Sequence, residues 1–118
     1  MTTIPLAFTK PPLSLNDRMH WATKARKVRI LRGHVSNLAC SRKVKPLNAA
    51  TVTLHYRPRD KRRRDKDNLF ATLKPCIDGL VDAGVLPADH GEHVEPRVKL
   101  HEPIKGEPGA LWLTVEAR

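Results

Sequence analysis

Asp65 and Asp67 are separated by one residue, at the end of the most heavily charged stretch of the chain. That stretch, Arg57 to Asn68, reads R-P-R-D-K-R-R-R-D-K-D-N and holds seven basic residues and three aspartates. If the backbone is extended there, both carboxylates project to one side, with Cα atoms roughly 7 Å apart. Such a pair can hold a hard divalent cation, because Mg²⁺ favours carboxylate oxygens and water. The pair also precedes an apolar periodic segment, so it sits where a helix N-terminus favours negative charge. Lys61, Arg62, Arg63, Arg64 and Lys66, with Asn68, are the candidate DNA-binding residues beside the pair. Carboxylates inside a patch that only bound phosphate would weaken it. They make chemical sense if a metal bridges them to a phosphodiester, the logic of a metal-dependent nuclease. The plainer reading is a charged surface loop whose Asp67 caps the next helix.

A third carboxylate would complete such a site, and Asp89, in the loop after the second helix, is the candidate. Read alone, it is an ordinary turn aspartate. Lys74 follows Asp67 by seven residues, close to two helical turns, so it could stabilise charge on the same phosphate. His90 and His93 flank Asp89 but read as solvated loop residues, and His20 and His55 are isolated. Cys76 reads as a small core residue, and Trp21 and Trp112 as packing residues.

The elements that must position these groups follow from periodicity. Ile4, Leu6 and Phe8 alternate as a short strand, broken by Pro11 and Pro12. Ser14, Asn16 and Asp17 are N-cap candidates for an amphipathic helix from about Asp17 to Ala39. Its apolar set is Met19, Ala22, Val28, Leu31, Val35 and Leu38, and its outer face carries Lys24, Arg26, Lys27, Arg29 and Arg32. Val52, Leu54 and Tyr56 alternate with Thr51, Thr53 and His55 as a strand ended by Pro58. Leu69, Leu73, Ile77 and Leu80 form a helical stripe capped by Asp67 or Asn68, with Gly84 past its end. Pro75 should kink that helix near Ala71 or divide it. After a loop at residues 87–92, Val94 to Leu100 and Ala110 to Val115 read as the last strands. The order strand, helix, strand, helix, strand, strand predicts an α+β layer, two main helices on a small mixed sheet.

Composition bounds the rest. The 118 residues suit one domain, 1–118, with one core. The formal charge is +10, with 17 basic and 4 acidic residues in 1–67 against 5 and 8 in 68–118. A lopsided basic half points to a polyanion, above all nucleic acid. Aromatics are 4% of residues, too few for a platform that stacks successive bases. Cys40 and Cys76 have no CxxC partner, which excludes a cysteine-based zinc finger and argues against a disulfide scaffold. No apolar run approaches the roughly 20 residues that span a bilayer, and no secretory signal is visible. The expectation is a soluble cytoplasmic protein, with no membrane partner and no small-molecule cofactor.

At Arg62-Arg63-Arg64-Asp65-Lys66-Asp67-Asn68-Leu69 the chain resembles the RusA-type Holliday junction resolvases, small endonucleases of phages and prophages. Asp78-Gly79-Leu80-Val81-Asp82-Ala83-Gly84, then Pro87-Ala88-Asp89, continue the likeness, and Pro11-Pro12-Leu13-Ser14-Leu15-Asn16 resembles the family's start. The resemblance implies a RusA-like fold and a homodimer acting on branched DNA, the four-way junction, in a bacterial host cytoplasm. It implies that Asp65, Asp67 and Asp89 bind Mg²⁺ or Mn²⁺ and activate water. It also implies a helix lysine, which in the family often falls where this chain has Ala71. Lys74 is the lysine available here. Where the family often has two acids in a row, this chain has Ala88 before Asp89. A flap or fork nuclease of the same fold and a non-catalytic junction-binding protein are the alternatives.

Overall fold

The computed structural model describes residues 1–16 and 18–118. The order is β1 (Thr2–Pro5), α1 (Trp21–Ser41), β2 (Ala50–Arg57), a 3₁₀ turn (Lys66–Leu69), α2 (Phe70–Asp82), β3 (Val94–Leu100) and β4 (Ala110–Ala117). The chain therefore forms an α+β fold with a four-stranded mixed sheet, in the order β1-β4-β2-β3. Among the described residues no helix is long and apolar enough to cross a membrane.

β2 is central because its side chains alternate cleanly. Ala50, Val52, Leu54 and Tyr56 are buried, while Thr51, Thr53, His55 and Arg57 are half-exposed. It pairs antiparallel with β4 (Leu54 opposite Leu113) and parallel with β3 (Leu54 opposite Val98). β1 pairs antiparallel with β4, Ile4 opposite Leu113. Pro5 and Pro96 both lie in edge strands, where a missing backbone donor is tolerated.

Both helices supply one core. Leu31, Val35 and Ala39 of α1 join Leu73, Cys76, Ile77 and Leu80 of α2 and the buried row of β2. The helices meet at Gly79, where a Cβ would lie 2.6 Å from the Arg32 carbonyl oxygen. Across the same crossing Arg32 forms a two-pronged ion pair with Asp82, at 2.5 and 2.8 Å. Thr72, fully buried on α2, donates to the Leu13 carbonyl (2.7 Å) and accepts from its N–H (3.3 Å). That bond ties residues 11–14 to α2 and places buried Leu13 in the core. Cys40 and Cys76 are both free thiols, and burial pushes Cys76 up to about 12, leaving it unreactive.

Several boundaries differ from the sequence reading. β1 ends at Pro5, so Phe8 lies beyond it and packs edge-on against His34. The reason is the partner strand. β4 begins at Ala110, and Leu6 bonding to Leu111 is the last rung. α1 begins at Trp21, not near Asp17, and His20 is its cap, its Nδ1 accepting from the Ala22 N–H (3.2 Å). Ser14 instead receives the Asn16 N–H, and Asp17 lies outside the described residues. Trp21 is 75% exposed, not a packing residue, because α1 buries nothing before Leu31. α1 ends with Lys43 in the left-handed region (φ 52°), the bonds Lys43 to Cys40 and Val44 to Ala39 closing a Schellman turn. α2 runs unbroken through Pro75, and its irregularity falls one turn earlier, in the 3₁₀ segment. The hydrogen bond that Pro75 cannot donate is the one to the Ala71 carbonyl, near the start of α2. Asp65, rather than Asp67 or Asn68, caps the 3₁₀ turn. Gly84 (φ 78°) ends α2 as the spacing predicts, in a second Schellman turn through Val85 and Leu80.

On the opposite face of the sheet His55 is stacked flat on Trp112 (5.2 Å, 2°). Its Nδ1 meets His101 Nε2 at 2.8 Å and its Nε2 meets Thr114 Oγ1 at 2.9 Å. Partial burial, then His101 and Lys99, push His55 down to about 4, and His101 is lowered too.

Two predictions follow from this packing. Gly79→Ala forces a methyl against the α1 backbone and costs about 1–3 kcal/mol, as core overpacking does. It should lower the urea midpoint, and an unchanged midpoint would mean the helices part freely. For His55, the unfolded imidazole takes its proton near 6.5, while the folded one resists until about 4. The His55 contribution to stability is therefore fully present above about pH 6.5 and is lost as pH falls toward 4. His55→Phe, which keeps a stacking ring, should flatten the melting-temperature profile across that window. A profile identical to the wild type would place the acid sensitivity elsewhere.

Candidate metal and nucleic-acid site

The charged segment lies between the end of β2 and the start of α2. Buried Pro58 stops the strand, and Asp60 then organises the loop. Asp60 Oδ1 accepts from the Arg62 N–H (3.1 Å) and from the Arg64 guanidinium (2.8 Å). Arg62 and Arg59 approach its other oxygen at 3.5 and 3.9 Å. The Arg64 guanidinium also donates to the Asp60 and Arg62 carbonyls (2.9 Å each) and lies over the Tyr56 ring, 5.9 Å from its centre. The Arg64 hydrogen bond holds the Asp60 carboxyl below the usual carboxylate range. Arg64 is thus half-buried and spends its donors inside the loop, whereas Lys61, Arg62, Arg63 and Lys66 are exposed. The sequence reading assigned Asp60 no role. Its signal was an aspartate four residues before an arginine, a weak one outside a helix.

Asp65 and Asp67 are both exposed at the start of the 3₁₀ turn. Only Asp65 has extended backbone (φ −95°, ψ 116°), so the pair is not a strand-like one. Asp65 Oδ1 accepts the Asp67 N–H at 3.0 Å, which folds one carboxylate over the backbone of the other. This cap uses one acceptor position of Asp65 and leaves both carboxylates able to bind a cation. Asp65 and half-buried Asn68 line a cleft of about 410 Å³ with Arg62, Arg63, Arg64 and Lys10.

Asp89 and Lys74 lie in a different cleft, of about 460 Å³, beside Phe70 and Glu95. Lys74 Nζ donates to Asp78 (3.1 Å) and, in close contact, to Asp89. The pairing works in both directions. The Asp89 hydrogen bond raises Lys74, and the Lys74 hydrogen bond lowers Asp89. Lys74 therefore stays an ammonium at neutral pH and serves as a fixed positive charge, not as a base. Two of the residues singled out in the sequence come together here, Lys74 and Asp89. Among the described residues no hydrogen bond or ion pair joins Asp65 or Asp67 to them. Among the described residues no group of three or more His, Cys, Asp or Glu side chains is placed to hold a metal ion. By donor chemistry, Asp65 and Asp67 suit a hard divalent cation that keeps most of its waters. Asp89 is committed to Lys74. His93 is occupied by the Asn48 carbonyl (2.8 Å) and stands edge-on to His90.

No protein-family model and no curated protein matches this chain.

The Lys74 pairing is testable. Lys74→Met removes the cation that lowers Asp89, so the Asp89 carboxyl should titrate at higher pH, read by carboxyl carbon NMR. An unmoved Asp89 titration would mean that the ion pair does not persist in solution.

Proposed function

We propose that the chain is a metal-dependent endonuclease that cuts branched DNA, with the four-way junction as its substrate, in the manner of the RusA-type resolvases. One observation carries this reading. Two exposed carboxylates, Asp65 and Asp67, sit among the outward cations Lys61, Arg62, Arg63 and Lys66. In a patch that merely bound phosphate those acids would oppose the ligand. With a divalent cation between acids and phosphate, the same arrangement is attractive throughout.

Asp65 and Asp67 would hold Mg²⁺ or Mn²⁺, with Asp89 as the third carboxylate once freed from Lys74. A bound divalent cation would polarise the phosphodiester and make water a better nucleophile. The chain's own contribution is positional. Lys61, Arg62, Arg63 and Lys66 draw in and orient the backbone phosphates, and Asp60 stiffens the loop that carries them. Asn68 lines the same cleft as a neutral donor. Lys74 keeps a positive charge beside Asp89. A twofold dimer would present two such sites to symmetric strands of one junction, in a bacterial cytoplasm. A junction-binding protein without catalysis is the second reading, favoured by the engagement of Asp89 with Lys74.

The deciding measurement is nicking of a labelled synthetic four-way junction in Mg²⁺ or Mn²⁺, with flap and linear duplex alongside. The expected result is paired symmetric nicks in the junction. Asp67→Asn should lower the rate by about 10²–10³-fold, the usual loss for one charge-stabilising group. Without divalent metal, the same variant should bind the junction as tightly as the wild type or tighter, having lost a negative charge. Binding without nicking in either metal would sink the nuclease and leave the second reading. Faster cutting of flaps would move the substrate to forks.

A further inference from the structure

We infer that Trp21, at the exposed start of α1, stacks on an unpaired base where DNA strands branch, held there by the cations around it. The inference rests on the nucleic-acid reading above and names a second contact surface for it.

Among the described residues no side chain of α1 before Leu31 is fully buried, and of that stretch Val28 packs against the core. The helix starts at Trp21, but its buried residues begin only at Leu31. A stretch of that length is marginal as an isolated helix in water. Trp21 is 75% exposed and Ile30 57%. A tryptophan left in water forgoes the large area it could bury. Its ring is not loose, because it leans on His20 (5.5 Å, 33°), and His20 is fixed as the helix cap. Trp21, Ala25, Val28 and Arg32 follow helical spacing along one side of a depression of about 720 Å³.

Charge complementarity selects the occupant. α1 carries Lys24, Arg26, Lys27, Arg29 and Arg32 and no acidic residue. Lys24, Arg29 and Arg32 line the depression itself. Its single carboxylate, Asp82, is already neutralised by Arg32 through two hydrogen bonds. A second copy docked by this same face would bring the same cations against them, whereas a polyanion is attracted. The aromatic face then specifies which part of the polyanion. Bases inside a duplex are covered on both faces, but an unpaired base offers a free face to a ring. A single tryptophan is no platform for a run of bases. It suits one base at a branch, with Lys24 and Arg29 reaching the phosphates beside it.

The test compares a labelled four-way junction, a fork with an unpaired arm and a linear duplex by fluorescence anisotropy. Trp21→Ala should weaken binding to the junction and fork about tenfold, in line with loss of one stacked base. Linear duplex affinity should change less than about twofold, and Trp21→Phe should recover most of the loss. In a Trp112→Phe background the remaining emission comes from Trp21 and should be quenched by the fork and not by the duplex. Trp21→Ala should melt as the wild type does, since the side chain is exposed. If Trp21→Ala keeps branched-DNA affinity while Arg62→Ala and Arg63→Ala lower it, this inference fails and the nucleic-acid reading stands. If the wild type binds no DNA, both fail. If Trp21→Ala abolishes self-association and leaves DNA binding intact, the surface belongs to a second copy and the inference is overturned.

Discussion

The parallel pairing of β2 with β3 is the constraint on which the rest of the molecule depends. Two parallel neighbours cannot be joined by a hairpin, so the chain must return along the full length of the sheet before β3 can begin. The return is made by the charged loop, the 3₁₀ turn and α2. Asp65, Asp67, Lys74 and Asp89 all ride on this one crossover. Its two ends are anchored in the core, at Pro58 and at Val85 with Leu86. α1 then covers what α2 leaves open, and the close approach at Gly79 sets how tightly the two helices can sit.

The alternation in β2 was legible because a half-buried strand with one apolar face writes its burial directly into the sequence. The mixed sheet with two helices was legible for a related reason, as each apolar stripe needs a surface to cover. α1 was read too long on its core side. Val28 and Leu38 only flank a core stripe made by Leu31, Val35 and Ala39, and nothing in the spacing of Trp21 and Ala22 says that α1 fully buries no side chain before Leu31. Pro75 does not divide α2, one of the two outcomes its local rule predicts. The strength of its local rule was plain, but the 3₁₀ turn that precedes α2 was not. Asp60 was passed over because its partners are gathered by loop geometry, which leaves no periodic trace. The pairing of Lys74 with Asp78 was available as an ordinary four-residue helix spacing. Its contact with Asp89 joins two segments, and only the fold brings them together.

The segment Asp78 to Gly84 illustrates how a motif divides between structure and chemistry. Gly79 is the helix crossing, Leu80 is core, Asp82 holds Arg32, Ala83 caps the helix and Gly84 supplies the left-handed turn. Each of these residues has a packing reason that any pair of crossed helices would share. They therefore speak for the fold and not for the activity. Asp78 is the exception, because its partner Lys74 faces Asp89.

The same division applies to the acids of the charged loop, and it bears on the function. Asp60 is ringed by three arginines and is consumed in shaping the loop. Asp65 caps a turn with one oxygen. Asp67 is exposed, with no ion pair among the described residues. If these acids served only to balance charge, all three would gain by pairing with the arginines nearby, as Asp60 does. The loop instead pairs one acid three times over, and among the described residues Asp65 and Asp67 have no ion pair although basic residues flank both in sequence. A cation from solution can satisfy such a pair where an arginine side chain does not. Across the crossover, the third candidate acid is held by an ammonium. Lys74 there supplies Asp89 with the positive charge that Asp65 and Asp67 lack, and the two halves of the candidate site differ in whether their counter-charge is built into the chain.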